Sequence, residues 1–366
     1  MSTMNNRDRT MAAFHHRKAD RLVWQPRLNH WYDVNKARGL LPKKYAGWEM
    51  LQIYDDLGAS PRAWHYFNDT VRAVEGGSTK IEVKEDSEFI RTKYTTPKGE
   101  VTQTEQRNLW GTNKMTVDYF LKTIDDFDAL AYVLRNQSFE FDADLYQRYD
   151  RMLGDRCEPT LNIPHGSIQR LFVDYMGLER GTIALWRHPE LVEKLILAFD
   201  ENDDKRIELI KRTPFRLVNF ADNIDDSLVS PRLLRKYMLP YYQRRTKELH
   251  QVGKFCTSHW DGKIKHVLPF ARETGLDALE AVPPVPQGSV TLEELRQGLE
   301  GMVLLDGLPA TRFVPYSDEA ELKKAVKRLL ELFSPNIVVG ISDMLPADGD
   351  IERVRTTGKM VEEYSV

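Results

Sequence analysis

Short apolar segments recur through the C-terminal two thirds of this chain, and their alternation with longer helical stretches constrains the fold more than any other feature. The apolar segments are Thr160 to Ile163, Phe215 to Phe220, Lys254 to Ser258, Ala278 to Val282, Met302 to Leu305 and Ile337 to Gly340. Between them lie stretches with helical spacing: Pro189 to Leu209, Pro231 to His250, Leu292 to Leu299 and Asp318 to Phe333. Repeated strand–helix units with short apolar strands specify a parallel sheet covered by helices. No Gly-, Pro- or Ser-rich break interrupts the series, which favours a closed barrel over two dinucleotide-binding halves. No Gly-x-Gly-x-x-Gly or Walker-type loop is present either. The expected fold class is therefore α/β, a single (β/α)8 TIM-type barrel over residues 1–366.

The N-terminal third has a different texture. A helix is expected over Arg7 to Phe14, a first strand at Leu22-Val23-Trp24, and a second helix over Trp48 to Leu57 that stops at Gly58. From about 80 to 105, alternating residues such as Lys80-Ile81-Glu82-Val83-Lys84 and a turn at Thr96-Pro97-Lys98-Gly99-Glu100 predict a β-meander with one wet face, inserted beside the barrel. Asp125-Asp126 then opens a helix through Leu130 and Leu134.

Composition removes whole classes of function. The net charge is −3 with both signs interspersed, without the basic stripe of a nucleic-acid binder. No apolar run approaches the roughly 18 residues of a membrane span, and the polar, basic N-terminus has no apolar signal core. Only Cys157 and Cys256 occur, which argues for a reducing cytoplasm and against zinc held by three or four thiolates.

In such a barrel, chemistry gathers just after the strands. Those positions hold Arg27, His165, Asp222 with Asn223, His259 with Asp261, Asp306, and Ser342-Asp343. Asp222 and Asn223 have a plainer reading as a cap for the helix near Pro231. Glu280 is the most informative acid, because it stands inside the apolar segment Ala278 to Val282, where a carboxylate is costly to bury without a partner. His259 and Glu280, with Asp222 or Asp261, form a candidate N/O metal site with an open position. Trp31, Tyr32, Trp64 and Tyr66 are candidate pocket walls, with core packing as the alternative.

These residues resemble the uroporphyrinogen decarboxylase-like superfamily over almost the whole chain. The resemblance rests on Arg7 to Arg27, Asp174-Tyr175-Met176 after His165-Gly166, Phe220-Ala221-Asp222-Asn223 with Val229-Ser230-Pro231 and Leu239-Pro240-Tyr241, and Gly340 to Pro346 with Gly349-Asp350-Ile351-Glu352-Arg353. True uroporphyrinogen decarboxylases carry Arg-Gln-Ala-Gly-Arg where this chain reads Pro26-Arg27-Leu28-Asn29-His30. The segment expected to hold their substrate-centring Asp reads Gly58-Ala59-Ser60-Pro61-Arg62, and their C-terminal His is replaced near Ile341-Ser342.

The sequence is more similar to the methyltransferase components of corrinoid-dependent O-demethylases. That similarity lies in Ala221-Asp222-Asn223-Ile224-Asp225, Thr257-Ser258-His259-Trp260-Asp261-Gly262 and Glu273 to Glu280. Thiol-methylating relatives hold zinc with His-x-Cys and a later Cys; here the His is His259, Asp261 takes the first Cys position, and Ser342 or Asp343 lies near the last.

The resemblance implies methyl transfer from a small methoxylated substrate, an aryl methyl ether among the candidates, to cobalamin on a partner corrinoid protein. Zn2+ is an optional cofactor in this reading, and a homodimer is left open. Tyr175, Glu280 and His259 are the implied catalytic residues; Arg27, His30, Trp31, His165, Asp222 and Asn223 would line the substrate; His259, Glu280, Asp222 and Asp261 are the candidate metal ligands. A decarboxylase or lyase that grips a carboxylate with Arg27, and a non-catalytic tetrapyrrole- or corrinoid-binding barrel, are the alternatives.

Overall fold

The computed structural model describes residues 4–109 and 113–366. Its strands, in chain order, are β1 (Val23–Trp24), β2 (Val71–Val74), β3 (Lys80–Glu85), β4 (Phe89–Thr96), β5 (Gly99–Arg107), β6 (Lys114–Asp118), β7 (Ser138–Phe141), β8 (Thr160–Ile163), β9 (Leu217–Phe220), β10 (Phe255–His259), β11 (Ala278–Glu280), β12 (Val303–Pro309) and β13 (Ile337–Ser342). Seven of them form one parallel sheet in the order β1-β13-β12-β11-β10-β9-β8. This sheet, with helices such as Pro189–Ile210, Leu239–His250 and Glu319–Phe333 packed outside it, is the α/β TIM-type barrel expected from the sequence.

The eighth staff of the barrel is not a regular strand. Residues 59–62 stand in its place: Ser60 donates its N–H to Trp24 O at 2.8 Å and its hydroxyl to Arg156 O at 2.7 Å. Pro61 has no N–H to give to a ladder, and Gly58 turns the chain at a left-handed φ of +62°. The segment therefore bridges β1 and the chain leading into β8 through side-chain and single backbone bonds. That irregularity delivers Arg62 into the barrel.

Strand alternation sorts the remaining residues by face. Trp24, Leu161, Val218, Phe220, Cys256, Leu279, Leu304 and Val339 point outward into the layer beneath the helices. Val23, Leu217, Ala278, Val303, Leu305 and Val338 point inward with Phe255, and meet Met11, Ala13 and Phe14 of the N-terminal helix Asn6–Phe14. Phe14 and Phe255 lie 5.4 Å apart between ring centroids, closing the bottom of the barrel. One position further toward the C-terminal ends, the inward residues become polar.

Strands β3 to β6 form an antiparallel meander that is one strand longer than expected, because β6 carries its apolar Met115 and Val117 in the open and shows no buried face in its sequence. Tyr94 and Val101 pack on Phe120 and Ala129, and Gln103 Nε2 donates to Asp174 O at 3.3 Å, so the meander leans on the barrel rim. Strands β2 and β7 pair separately as an unforeseen antiparallel ribbon. The expected helix over Pro231 to His250 holds a π-helical turn at Leu234–Met238, and its cap is Ser230, with Asp222 engaged elsewhere. No helix among the described residues is long and apolar enough to cross a membrane. Cys157 and Cys256 are both buried and free.

Candidate active site

The C-terminal end of the barrel gathers an ionic cluster around Glu280, whose side chain is only 2 % exposed. Glu280 faces inward from β11, as strand alternation requires after Ala278. Arg62, entering from the irregular segment, donates to Glu280 Oε1 and to Asp306 Oδ1, the latter at 2.6 Å. Asn219 on β9 donates to Glu280 Oε2 at 2.9 Å and to Asn162 on β8 at 2.9 Å, while Thr257 on β10 donates to Asn219 Oδ1 at 2.5 Å. The buried carboxylate is thus compensated on both oxygens, as burial of a charge demands.

Asp306 is held at a left-handed φ of +83°, costly for a residue with a Cβ. It fits because Gly340 faces it across β13: a Cβ at that glycine would lie 2.1 Å from Asp306 Oδ1.

His259 ends β10 and faces three acids. Its Nδ1 lies 3.3 Å from Glu280 Oε2, and its Nε2 lies 3.6 Å from Asp261 Oδ2 and 3.8 Å from Asp343 Oδ1. Arg27 pairs with Asp343, lies 3.9 Å from Glu280 and stacks 5.3 Å above the Trp64 ring. Burial pulls the His259 pKa down, yet hydrogen bonding to Asp261 and Glu280 outweighs it and pushes the value up to about 9. Burial works against ionised Glu280, but Arg62, His259 and Arg27 hold it well below the usual carboxylate range. Asp306 is shifted upward by burial, against the pull of Arg62 and with the repulsion of Glu280 added. Arg27 is lowered by burial despite Glu280 and Asp306.

One imidazole nitrogen and two carboxylates, those of His259, Asp261 and Asp343, lie within 4.8 Å of one another. Ligands about 2.1 Å from a tetrahedral zinc stand roughly 3.4 Å apart, and each of the two carboxylates lies within a few tenths of an ångström of that spacing from His259 Nε2. Glu280 on Nδ1 supplies the carboxylate support that metal-bound imidazoles usually have. Four carboxylates here face two guanidiniums and one imidazole, a surplus of negative charge that suits a divalent cation. The donors therefore fit such an ion once the Arg27 guanidinium gives up Asp343.

A second cluster stands further along the rim, after β8 and β9. His165, two residues after β8, places Nδ1 2.8 Å from Asp174 Oδ1, with Asn223 Nδ2 3.3 Å from its Nε2. Asp222 is fully buried; it accepts from Gly166 N and from the Tyr242 hydroxyl, both at 2.8 Å. Burial pushes Asp222 up to about 6, against His165 and these hydrogen bonds.

The structure thus brings together His259, Glu280, Asp261 and Arg27 from the sequence-derived set, and His165 with Asn223 and Asp222 as a separate group. Asp222 is not among the residues converging on His259 Nε2; Asp343 is. Tyr175 is set apart from both, its ring stacked 5.4 Å from Phe199 and its hydroxyl 3.5 Å from Arg170. Trp31 is buried with Nε1 donating to Gly349 O at 3.1 Å, and His30 is half-buried in the first turn of the helix Asn29–Ala37. Arg62, Asn219 and Thr257 went unassigned in the sequence. The signal for Asn219 and Thr257 was the one that exposed Glu280, a polar residue at an inward position of an otherwise apolar strand. Arg62 has no such signal, because its segment is not a strand.

Fold and site together define an α/β barrel of the TIM type with an acid–imidazole centre at its C-terminal mouth. Among solved structures the chain is similar to a methyltransferase from Methanosarcina mazei, with a TM-score of 0.62 and 12 % identity over 99 % of this chain and 100 % of that one. A B12-independent methionine synthase from Shewanella sp. W3-18-1 gives a TM-score of 0.45 at 10 % identity, covering 88 % of this chain and 89 % of that one. A putative vitamin-B12 independent methionine synthase from Listeria monocytogenes gives 0.44 at 12 %, covering 93 % and 96 %. At 12 % identity the likeness to the Methanosarcina protein is one of fold. No protein-family profile matches the sequence, and no curated protein does.

Proposed function

We propose that this chain is a methyltransferase that takes a methyl group from a small methoxylated compound, of the aryl methyl ether class, and delivers it to a corrinoid carried by a partner protein. The observation that carries the reading is the convergence of His259, Asp261 and Asp343 at the barrel mouth, backed by Glu280. The full-length fold likeness to a protein named as a methyltransferase supports it.

A methyl ether resists cleavage because its oxygen departs poorly, so charge developing on that oxygen must be stabilised. A divalent metal held by His259, Asp261 and Asp343 would supply Lewis acidity toward that oxygen, a task for which nitrogen and oxygen ligands suit better than the thiolates of thiol-activating relatives. Glu280 fixes the imidazole so that Nε2 faces the mouth, and Arg62 keeps Glu280 ionised for that purpose. Arg27 lines the same wall from its seat on Trp64. The sequence has no Asp-x-His-x-x-Gly corrinoid-anchoring motif, which is why the acceptor is assigned to a partner. The carboxylate-gripping alternative is less well supported, since Glu280 already stands beside Arg27.

The test is a panel of methoxylated aromatic donors incubated with cob(I)alamin, following the absorbance change to methylcobalamin, with bound metal measured by elemental analysis. Methyl transfer by the wild type, with metal and rate both lost in His259→Ala and Asp343→Ala, is the expected result. Release of CO2 from a carboxylated substrate without methyl transfer, or full activity in His259→Ala, would overturn the reading.

A further inference from the structure

The ionic cluster around Glu280 can stabilise charge, but it offers no free proton to a departing oxygen. Both oxygens of Glu280 are engaged and its carboxyl is held ionised. The Tyr175 hydroxyl rests against Arg170. Both nitrogens of His259 face carboxylates. Further along the rim, after β8, His165 is arranged differently. Its Nδ1 is fixed by Asp174, while the neighbour of its Nε2 is a neutral amide that holds no charge against it.

We propose that His165 is the proton donor to the oxygen that departs when the methyl group is transferred, with Asp174 and Asn223 as its positioning residues; the inference rests on the methyltransferase reading above. Asp174 Oδ1 binds Nδ1–H and stabilises the imidazolium, leaving Nε2–H as the transferable proton. Asn223 suits both states of the ring, because turning its side-chain amide lets it accept from Nε2–H or donate to the bare nitrogen. Its backbone is anchored by Gln169 Nε2, which donates to Asn223 O at 2.6 Å. Gln103 of the meander donates to Asp174 O, which gives the inserted sheet a part in holding this pair.

The groups that bear on His165 are named by its surroundings. Burial disfavours its charge, Asp174 and Asp222 favour it, and the charge of His259 opposes it; the result is a pKa above the ordinary histidine value. The surroundings therefore favour the charged ring over that of a free histidine, and it is close enough to His259 for the two clusters to sense each other.

The step balances. The nucleophilic acceptor, a reduced corrinoid, gives an electron pair to the methyl carbon. The carbon–oxygen bond breaks with its pair passing to oxygen. The proton on His165 Nε2 moves to that oxygen, and the product leaves as a neutral phenol. The His165 side chain is itself partly open to solvent, from which Nε2 regains its proton.

The test measures methyl transfer to cob(I)alamin from methoxybenzenes whose phenol leaving groups span a wide range of acidity, in wild type, His165→Gln and Asp174→Asn. Circular dichroism and metal content, which should match the wild type, establish that each variant is folded. His165→Gln is expected to lose about 100-fold on the least acidic leaving groups and progressively less as acidity rises, steepening the dependence on leaving group. Asp174→Asn should steepen it in the same sense by about 10-fold. A loss equal across the series, or no loss, would overturn the assignment while leaving the methyltransferase reading intact. A wild type that demethylates no donor would defeat both.

Discussion

Two layers of the barrel interior, one inward position apart on the same strands, have opposite character. The lower layer is apolar: Val23, Leu217, Val303 and Val338 close on Phe14 and Phe255. The upper layer replaces these with Gln25, Asn219, Thr257 and Glu280, together with Arg62 and Asp306. Between them remains a cavity of about 20 Å3, walled by Phe14 and Leu217 below and by Asn219, Thr257 and Glu280 above. That is room for about one water molecule. The lower layer tolerates any side chains that fill it, whereas the upper layer is sound only while every charge keeps its partner. Packing alone holds the layer below, whereas paired charges hold the layer above and orient the site.

The largest effect that can test this contrast is Glu280→Ala. It leaves the Arg62 guanidinium buried with one carboxylate instead of two, at a cost of about 3–5 kcal/mol, and frees His259 Nδ1. Chemical denaturation and metal retention should both fall. A stable variant that keeps its metal would mean that the upper layer does not orient the site. Phe14→Ala, the counterpart below, should cost about 3 kcal/mol by cavity formation. It should leave metal affinity unchanged, and coupling of that loss to the metal site would dissolve the distinction between the layers.

Gly340→Ala probes the seam where Asp306 is seated. The added methyl meets Asp306 Oδ1, so a loss of about 1–3 kcal/mol is expected, with Arg62 displaced from one of its two acids. The smallest effect concerns Asp222, outside both layers. Its folded pKa is raised to about 6, so between the ordinary aspartate range and 6 the folded chain holds a proton that the unfolded chain has released. The stability this confers is present at low pH and lost as pH rises through 6. Asp222→Asn should flatten that part of the profile and gain about 2 kcal/mol on the wild type between pH 4 and 7. Parallel wild-type and variant curves would show that Asp222 is ionised throughout.

Much of this arrangement was legible before any coordinates. Glu280 announced itself because a carboxylate in an apolar strand must be paid for by a partner, and His259 with Asp261 because they stand where the preceding strand ends. Asp343 was placed near the site by the run after Ile337 to Gly340. Its convergence with His259 depends on β10 and β13 curling to face each other, which linear spacing does not encode. Arg62 was invisible for a different reason. It reaches the core from a stretch with no periodicity, where Pro61 and Gly58 replace a strand's ladder.

The sequence by itself determined the barrel, through short apolar strands alternating with helices, and it determined which end of those strands would carry polar side chains. Tertiary structure alone decided that Arg62 neutralises Glu280, that Asp343 rather than Asp222 joins His259 and Asp261, and that His165 stands with Asp174 and Asn223 as a separate group on the same rim. Periodicity is a local property, set by backbone geometry a few residues at a time. The pairing of charges depends on closure of the sheet, which brings together residues more than two hundred positions apart.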